Sequence, residues 1–460
     1  MMADMHRKTL WVHFVTIGLG LWLTTAPFAF DNFSAGTFSS TVYQVTQDRH
    51  LADPALRLAW LGWSDLVSGI LIVIFGMCSL SSRLSWAQWA NTAVGIWLLF
   101  APLVFWAPDP FSYNNDILVG SLVIAFSVLI PMMPGMSHAG MMDDSDTPPG
   151  WTYAPSTYLQ RLPIAALALV GFLISRHLTA YQLGHIDYVW DPFFGDGTAR
   201  IITSDVSRAW PIADAGLGAI SYVLEILMAV MGDRRRWRTM PWMVLAFGIV
   251  VVPLGVVSIF FIIIQPIMIG TWCTLCLAAA LAMLIMIPYT LDELVAMGQF
   301  LKAAIQQKKP FWTVMFRGDE MTEAAKSEGS GLELPVGTAF MAAARGVTVP
   351  WTLLASVALG VWMMFTRVLF DTQGTMANSD HLAGSLIVTV AIIAMAEVVR
   401  PLRFVNMFFG LWLMAAPWIL SGSSADIWNG LVVGAALVAL SLPNGRVGRE
   451  HYGAWDNLVF

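Results

Sequence analysis

The chain has 460 residues, of which 57% are hydrophobic and 12% charged, and its net charge is −6. Soluble globular domains carry about 25% charged residues, so this composition excludes an ordinary water-soluble fold and points to a bilayer as solvent. Three cysteines are too few for a disulfide framework, and no long basic stretch or aromatic–basic pattern suggests a nucleic-acid partner.

In chain order, apolar runs near the ~20 residues that span a bilayer are predicted at 10–30, 58–80, 87–106, 115–134, 160–182, 213–231, 240–268, 272–294, 349–369, 381–398, 402–420 and 427–443. The expected fold class is an all-α polytopic membrane protein of about twelve transmembrane helices in three four-helix blocks. The opening stretch, MMADMHRKTLWVHFVTIGLGLWL, is basic and then apolar. It lacks a small-residue cleavage site, so it reads as a retained first span. Pro253 and Pro266 predict a tilt or kink in the seventh span. Cys78 stands alone near a helix end and reads as a small buried hydrophobe.

Lysine and arginine set the expected orientation. They lie in MHRK, SSR, GDRRRWRT (232–239), LKAAIQQKKPFWTVMFRGDE (301–320), VVRPLR (398–403) and NGRVGREHY (444–452). All of these share one side if the N-terminus is cytoplasmic. Both termini are then cytoplasmic in a multi-pass inner (plasma) membrane protein, and the eighth span starts on the extracytoplasmic, oxidising side.

Two polar stretches, 135–158 and 301–348, read as linkers. They divide the chain into 1–134, 159–300 and 349–460. The outer blocks repeat a pattern. Gly20-Leu21-Trp22 precedes Pro27, Gly95-Ile96-Trp97 precedes Pro102, and Gly410-Leu411-Trp412 precedes Pro417, while Gly360-Val361-Trp362 has Arg367 where proline is expected. Each copy is followed by a D-x3-G element: Asp65 with Gly69, Asp116 with Gly120, Asp380 with Gly384 and Asp426 with Gly430. Glycine permits close helix approach and tryptophan suits the interface. Proline is expected to end each span and aspartate to begin the next as an N-cap. The pattern resembles the SPW-repeat family of bacterial membrane proteins over 1–134 and 349–460, a resemblance that implies no chemistry.

The middle block holds GTWCTLCLAAALAMLIMIPYTL (270–291), with Cys273 and Cys276 at the start of an apolar segment. The i, i+3 spacing places two sulfurs close enough for a disulfide. A helix N-terminus favours thiolate over thiol. Upstream, Trp210-Pro211-Ile212-Ala213 is followed by Asp214, Gly218 and Tyr222. Together with the later C-x-x-C, this stretch resembles the vitamin K epoxide reductase family over about 159–295.

The resemblance implies a four-helix bundle holding a membrane quinone of the ubiquinone or menaquinone class beside the dithiol. By that resemblance Cys276 faces the quinone and Cys273 exchanges with a separate periplasmic thioredoxin-like or thiol protein. Asp214, Gly218, Tyr222 and Trp272 are the corresponding quinone-binding candidates, and Asp214 equally suits a cap on the sixth helix. The chain departs from the family in three ways. No cysteine pair lies between Gly184 and Ile212, Ala280 stands where animal members have tyrosine, and no thioredoxin-like domain is appended. The repeat hairpins are expected to pack around the central bundle and limit access to the dithiol.

Three minor constellations carry less. Met132, Met133, Met136, His138, Met141 and Met142 have the soft donors that suit Cu(I), but a linker has the same composition. His185 with Asp187, or Asp191 with Asp196, offers two ligands, which make no site, so no metal centre is expected. Arg176 and His177 are placed to snorkel to water at the outer end of span five. The sequence thus points to a membrane thiol–quinone oxidoreductase. The other reading is a non-catalytic assembly or quinone/lipid-binding protein on a decayed reductase bundle, favoured by the missing loop cysteines.

Overall fold

A computed structural model describes every residue except 1–7, 35, 131–136, 138, 139, 141, 322, 327–334, 446 and 460. Met132, Met133, Met136, His138 and Met141 therefore lie outside the described residues. Met142 is exposed.

The described residues form helices α1 (Leu10–Ala29), α2 (Ser40–Asp48), α3 (Pro54–Ser79), α4 (Ala87–Val104), α5 (Pro110–Ile124, continued by a π turn, Ala125–Leu129), α6 (Tyr158–Gln182), α7 (Asp214–Val230), α8 (Pro241–Ile264, continued by a π turn, Gln265–Ile269), α9 (Thr274–Gln306), α10 (Trp351–Met364), α11 (Gly374–Ile393), α12 (Val405–Ile419) and α13 (Ser424–Ser441). Among them, ten are long and apolar enough to cross a membrane, so the expected all-α polytopic fold holds, and ten of the twelve expected spans reach that length. The other two expected spans are present as shorter helices: α7 has 17 residues and α10 has 14. α10 ends at Met364 with Phe365 as its C-cap, and a separate turn, Thr366–Leu369, follows it. α9 has 33 residues, or ~50 Å at 1.5 Å per residue. That exceeds the ~30 Å apolar core of a bilayer.

The chain forms two compact units. One comprises residues 1–135, 169–231 and 273–276; the other comprises 136–168, 232–272 and 277–460. In the first, α1 packs on α3 and α4 on α5; in the second, α10 packs on α11 and α12 on α13. Paired glycines let these hairpins close. A Cβ added at Gly69, Gly120, Gly384 or Gly434 would lie no farther than 2.7 Å from the carbonyl oxygen of Gly20, Gly95, Gly360 or Gly410, respectively.

Tryptophan N–H groups tie each hairpin to its neighbour and reveal the repeat's register. Trp22 donates to Asn115 (2.8 Å), Trp97 to Ser64 (2.9 Å), Trp412 to Ser379 (2.9 Å) and Trp362 to Asn429 (3.0 Å). The acceptors precede Asp116, Asp65, Asp380 and Gly430 in turn. The fourth D-x3-G element is therefore out of register by one turn: Gly430 and Gly434, rather than Asp426 and Gly430, match Asp116 and Gly120.

The expected N-cap role fails for all four aspartates. Asp53, Asp109 and Ser423 occupy the N-cap positions of α3, α5 and α13. Asp65, Asp116 and Asp380 lie inside helices that begin several residues earlier, and all three are buried. Asp380 accepts from Thr366 Oγ1 at 3.0 Å. Asp426 alone acts in capping, through a reciprocal box with Ser423. α3 begins at Pro54 and α5 at Pro110, so neither Asp65 nor Asp116 stands at a helix start.

Candidate functional site

Gly270 adopts φ 81° at the end of the π turn, a left-handed conformation suited to glycine, and α9 then begins at Thr274. Cys273 and Cys276 are joined in a disulfide with Cα atoms 5.2 Å apart. The Cys276 N–H donates to Cys273 Sγ at 3.0 Å, so this sulfur satisfies one of the free donors at the helix start. Cys276, like Tyr181 and Ala215, packs against the buried cluster of Leu178, Val189 and Ile202. Cys273 is fully buried, whereas Cys276 is half-buried. The Cys273 sulfur folds back over the first turn of α9, onto the Cys276 N–H.

Asp191 fastens the outer loop to this helix start. Its carboxylate accepts from Thr274 Oγ1 (2.5 Å) and Thr274 N–H (3.4 Å). It also accepts from the N–H groups of Phe193, Phe194 and Thr198 and from Thr198 Oγ1. Burial alone would raise its pKa, but the bonds from Thr198, Thr274, Phe194 and Phe193 hold it well below the usual carboxylate range.

The quinone-binding candidates divide between the units. Asp214 is the first residue of α7, with Ala213 in the N-cap position. Its Oδ1 accepts from Gln182 Nε2 and, at 2.9 Å, from Ser207 Oγ. Gln182 Nε2 also reaches the Ile202 carbonyl at 2.9 Å, and Gln182 Oε1 receives the Ala215 N–H at 3.2 Å. Gly218 and Tyr222 lie four residues apart on the face of α7 that meets α6. A Cβ at Gly218 would be 3.2 Å from Ser175 Oγ, and the Tyr222 ring fills the space left by Gly171. Trp272, in the other unit, is buried against Phe365 and His381, with ring centroids 5.2 and 6.1 Å away.

Each repeat block touches the middle block within its own unit. On the N-terminal side, Thr41 Oγ1 donates to Gly184 O (2.7 Å), Trp106 Nε1 to Pro211 O (3.0 Å) and Arg49 Nη1 to Arg208 O (3.3 Å). A pocket of about 130 Å³ lies there, lined in part by Gln44, Asp48, Arg49, Asp187 and Arg208. Arg176, expected to snorkel, donates instead to Asn114 Oδ1 at 3.0 Å and lies over the Tyr113 ring. On the C-terminal side, His381 Nε2 meets Ile262 O at 3.2 Å and Arg367 donates to Pro266 O at 2.9 Å.

His185 Nε2 lies 2.8 Å from Ala107 O, and burial pushes its pKa down to about 4. Among the described residues, no group of three His, Cys, Asp or Glu side chains could hold a metal ion.

Two elements escaped sequence reasoning. Asp191 meets Thr274 across 83 positions, and no local pattern marks that pairing. Glu225 is fully buried in α7, and neither carboxyl oxygen has a hydrogen-bond partner. The second had a signal, since an acidic residue inside a span is a functional candidate by default.

The depressed Asp191 carboxyl fixes the sign of a pH effect. A group with a lowered folded pKa contributes stability above its unfolded value, about 3.9 for aspartate. That contribution is lost only as pH falls through the lower folded value. Asp191→Asn should therefore speed amide hydrogen exchange in 183–212 and in the first turn of α9 at neutral pH, and should remove the wild type's added protection above about pH 4. Identical exchange in both proteins would mean that the carboxylate does not hold the loop.

Residues 162–291 match the family model described as Vitamin K epoxide reductase family, and residues 50–130 and 336–444 match that of the SPW repeat domain. No curated protein and no solved structure matches the chain.

Proposed function

From a chain that carries a vitamin K epoxide reductase domain between SPW repeat regions, we propose a membrane thiol–disulfide/quinone oxidoreductase. A reduced extracytoplasmic protein dithiol gives two electrons to the Cys273–Cys276 disulfide and becomes a disulfide itself. The Cys273–Cys276 dithiol then re-forms its disulfide, passing two electrons and two protons to a membrane quinone, which leaves as quinol. The observation that carries this reading is the disulfide at the N-terminus of α9, within a domain of a membrane redox enzyme family.

In this reading Cys276 is the quinone-facing thiol, in keeping with its packing against the cluster of Leu178, Val189 and Ile202, which Tyr181 and Ala215 also meet. Cys273 is the exchange thiol, and its full burial means that a protein partner must displace whatever covers the sulfur. Asp214, Gly218 and Tyr222 are proposed as quinone contacts. The Gln182 and Ser207 donors would hold the Asp214 carboxyl in one orientation. We assign both termini to the cytoplasm and the dithiol to the outer side, on the lysine and arginine distribution. The second reading, a binding or assembly protein without turnover, is favoured by the loop without cysteines and by the buried Cys273.

Differential thiol trapping in intact cells separates the two. An oxidoreductase shows Cys273 and Cys276 passing between disulfide and dithiol as the quinone pool is reduced or oxidised. A pair that stays oxidised whatever the quinone pool does favours the binding protein. Reporter fusions after Arg238 and near Asp196 should read inside and outside, respectively; the same side for both defeats the assigned orientation.

A further inference from the structure

A 3-10 turn, Glu397–Phe404, leads into α12 and sorts its side chains by direction. Leu402, Phe404, Val405 and Phe408 are 37–71% exposed, an apolar face suited to lipid. Arg400, Arg403 and Asn406 recur at three-residue spacing and are 0%, 8% and 1% exposed. A spacing of three keeps residues on one side of a 3-10 turn.

These inward groups are short of partners. Arg400 Nη2 donates to Thr348 Oγ1 and weakly to Met395 O, but its Nε and Nη1 have no partner. Arg403 Nη1 donates to Arg400 O at 3.2 Å, and its Nε has none. Neither amide atom of Asn406 has a partner. Among the described residues, no ion pair includes either arginine. The acid that acts on Arg400 is Glu397, whose oxygens are already held by the Gly448 N–H and the Tyr452 hydroxyl, each at 2.7 Å.

Buried charge without a counter-charge is costly, by several kcal/mol in general. The repeat supplies an internal comparison. Gly95 pairs with Gly410, so Arg403 corresponds to Gln88 and Asn406 to Asn91. Gln88 and Asn91 are buried as well but uncharged. The fold therefore accommodates a neutral side chain at this place, and the charge belongs to the C-terminal half alone.

We propose that Arg400, Arg403 and Asn406 bind a phosphate-bearing anion, with the headgroup of an anionic phospholipid as its source. Guanidinium and amide N–H groups match phosphate oxygens. Basic pockets at the inner ends of membrane helices hold such headgroups. Acyl chains would lie along Leu402, Phe404, Val405 and Phe408, and Asn406 Oδ1 is available to accept from a headgroup hydroxyl. Arg403, stacked 4.1 Å over the Phe404 ring, is the outermost of the three and admits the ligand.

The test uses the full chain in neutral detergent, with phosphatidylglycerol, phosphatidylcholine and inorganic phosphate as separate additions. Phosphatidylglycerol should raise the thermal midpoint and stay bound in native mass spectra, while phosphatidylcholine does neither. Arg403→Gln, which installs the N-terminal half's own residue, should weaken phosphatidylglycerol binding by about tenfold or more, as loss of a charge-assisted bond implies. A response to inorganic phosphate without lipid retention keeps the anion site and changes its source. If the arginine variant does not fold, Asn406→Ala supplies the second comparison. Equal retention of the two lipids by the wild type with no phosphate response, or undiminished binding by the variant, overturns the proposal.

Discussion

The Cys276→Ser protein should reduce quinone at least about a thousandfold more slowly than wild type, the order seen when a catalytic nucleophile is removed, while its Cys273 thiolate still attacks the disulfide form of the partner and is captured as a mixed disulfide, the partner's other sulfur leaving as thiolate. Cys273→Ser loses partner exchange, and its remaining Cys276 cannot complete a two-electron cycle. The asymmetry follows from surroundings. Cys276 packs against the cluster of Leu178, Val189 and Ile202, and Cys273 precedes the helix, with its sulfur on the Cys276 N–H. That N–H and the start of α9 stabilise a thiolate at Cys273, which is the form that attacks or leaves in disulfide exchange. Both single variants should be purified and compared for quinone-coupled dithiol oxidation and for mixed-disulfide capture. Wild-type turnover by Cys276→Ser would sink the mechanism and leave the binding protein as the better reading.

Glu293→Gln should lower stability by about 3–5 kcal/mol, the cost of leaving a buried charge without its partner. Arg236 Nε and Nη2 meet the two Glu293 oxygens at 2.5 Å each, and both side chains are almost wholly buried. Ser156 Oγ donates to the same carboxylate. Around this pair, Trp237 Nε1 reaches Asp146 O at 2.9 Å and Arg238 reaches Ser145 O at 2.7 Å. Glutamine cannot balance the guanidinium, so Arg236 is left charged and buried. The paired replacement Arg236→Met with Glu293→Leu should recover most of the loss, because an apolar pair avoids the desolvation of both ions. The thermal midpoint of detergent-solubilised protein reads both variants. A single variant as stable as wild type would show that the pair is solvated in the membrane-bound protein.

Much of this architecture is written in local pattern. Apolar runs of bilayer length are determined by composition alone, because an unpaired backbone cannot cross lipid except as helix or closed barrel. The C-x-x-C at 273 and 276 and the Gly-x-Trp copies are likewise short-range signals, and they led to both matched families. Helix starts were less legible. D-x3-G spacing marks a repeat but not a helix start, so Asp65 and Asp116 resemble caps although they lie inside α3 and α5. The slip of the fourth copy by one turn could not be seen from D-x3-G spacing. It is decided by Trp362 donating to Asn429 across 67 positions.

The same holds at the candidate site. Sequence determined which two thiols pair, because only three cysteines exist and two lie one turn apart. Tertiary structure decided that Cys273 is the buried sulfur, that Asp191 closes the loop onto α9 and that Arg236 and Glu293 meet across 57 positions. A side chain's nearest neighbours along the chain are set by helix period. Its partners from other elements depend on how close those helices approach, and here that approach is governed by glycines packed against distant carbonyls.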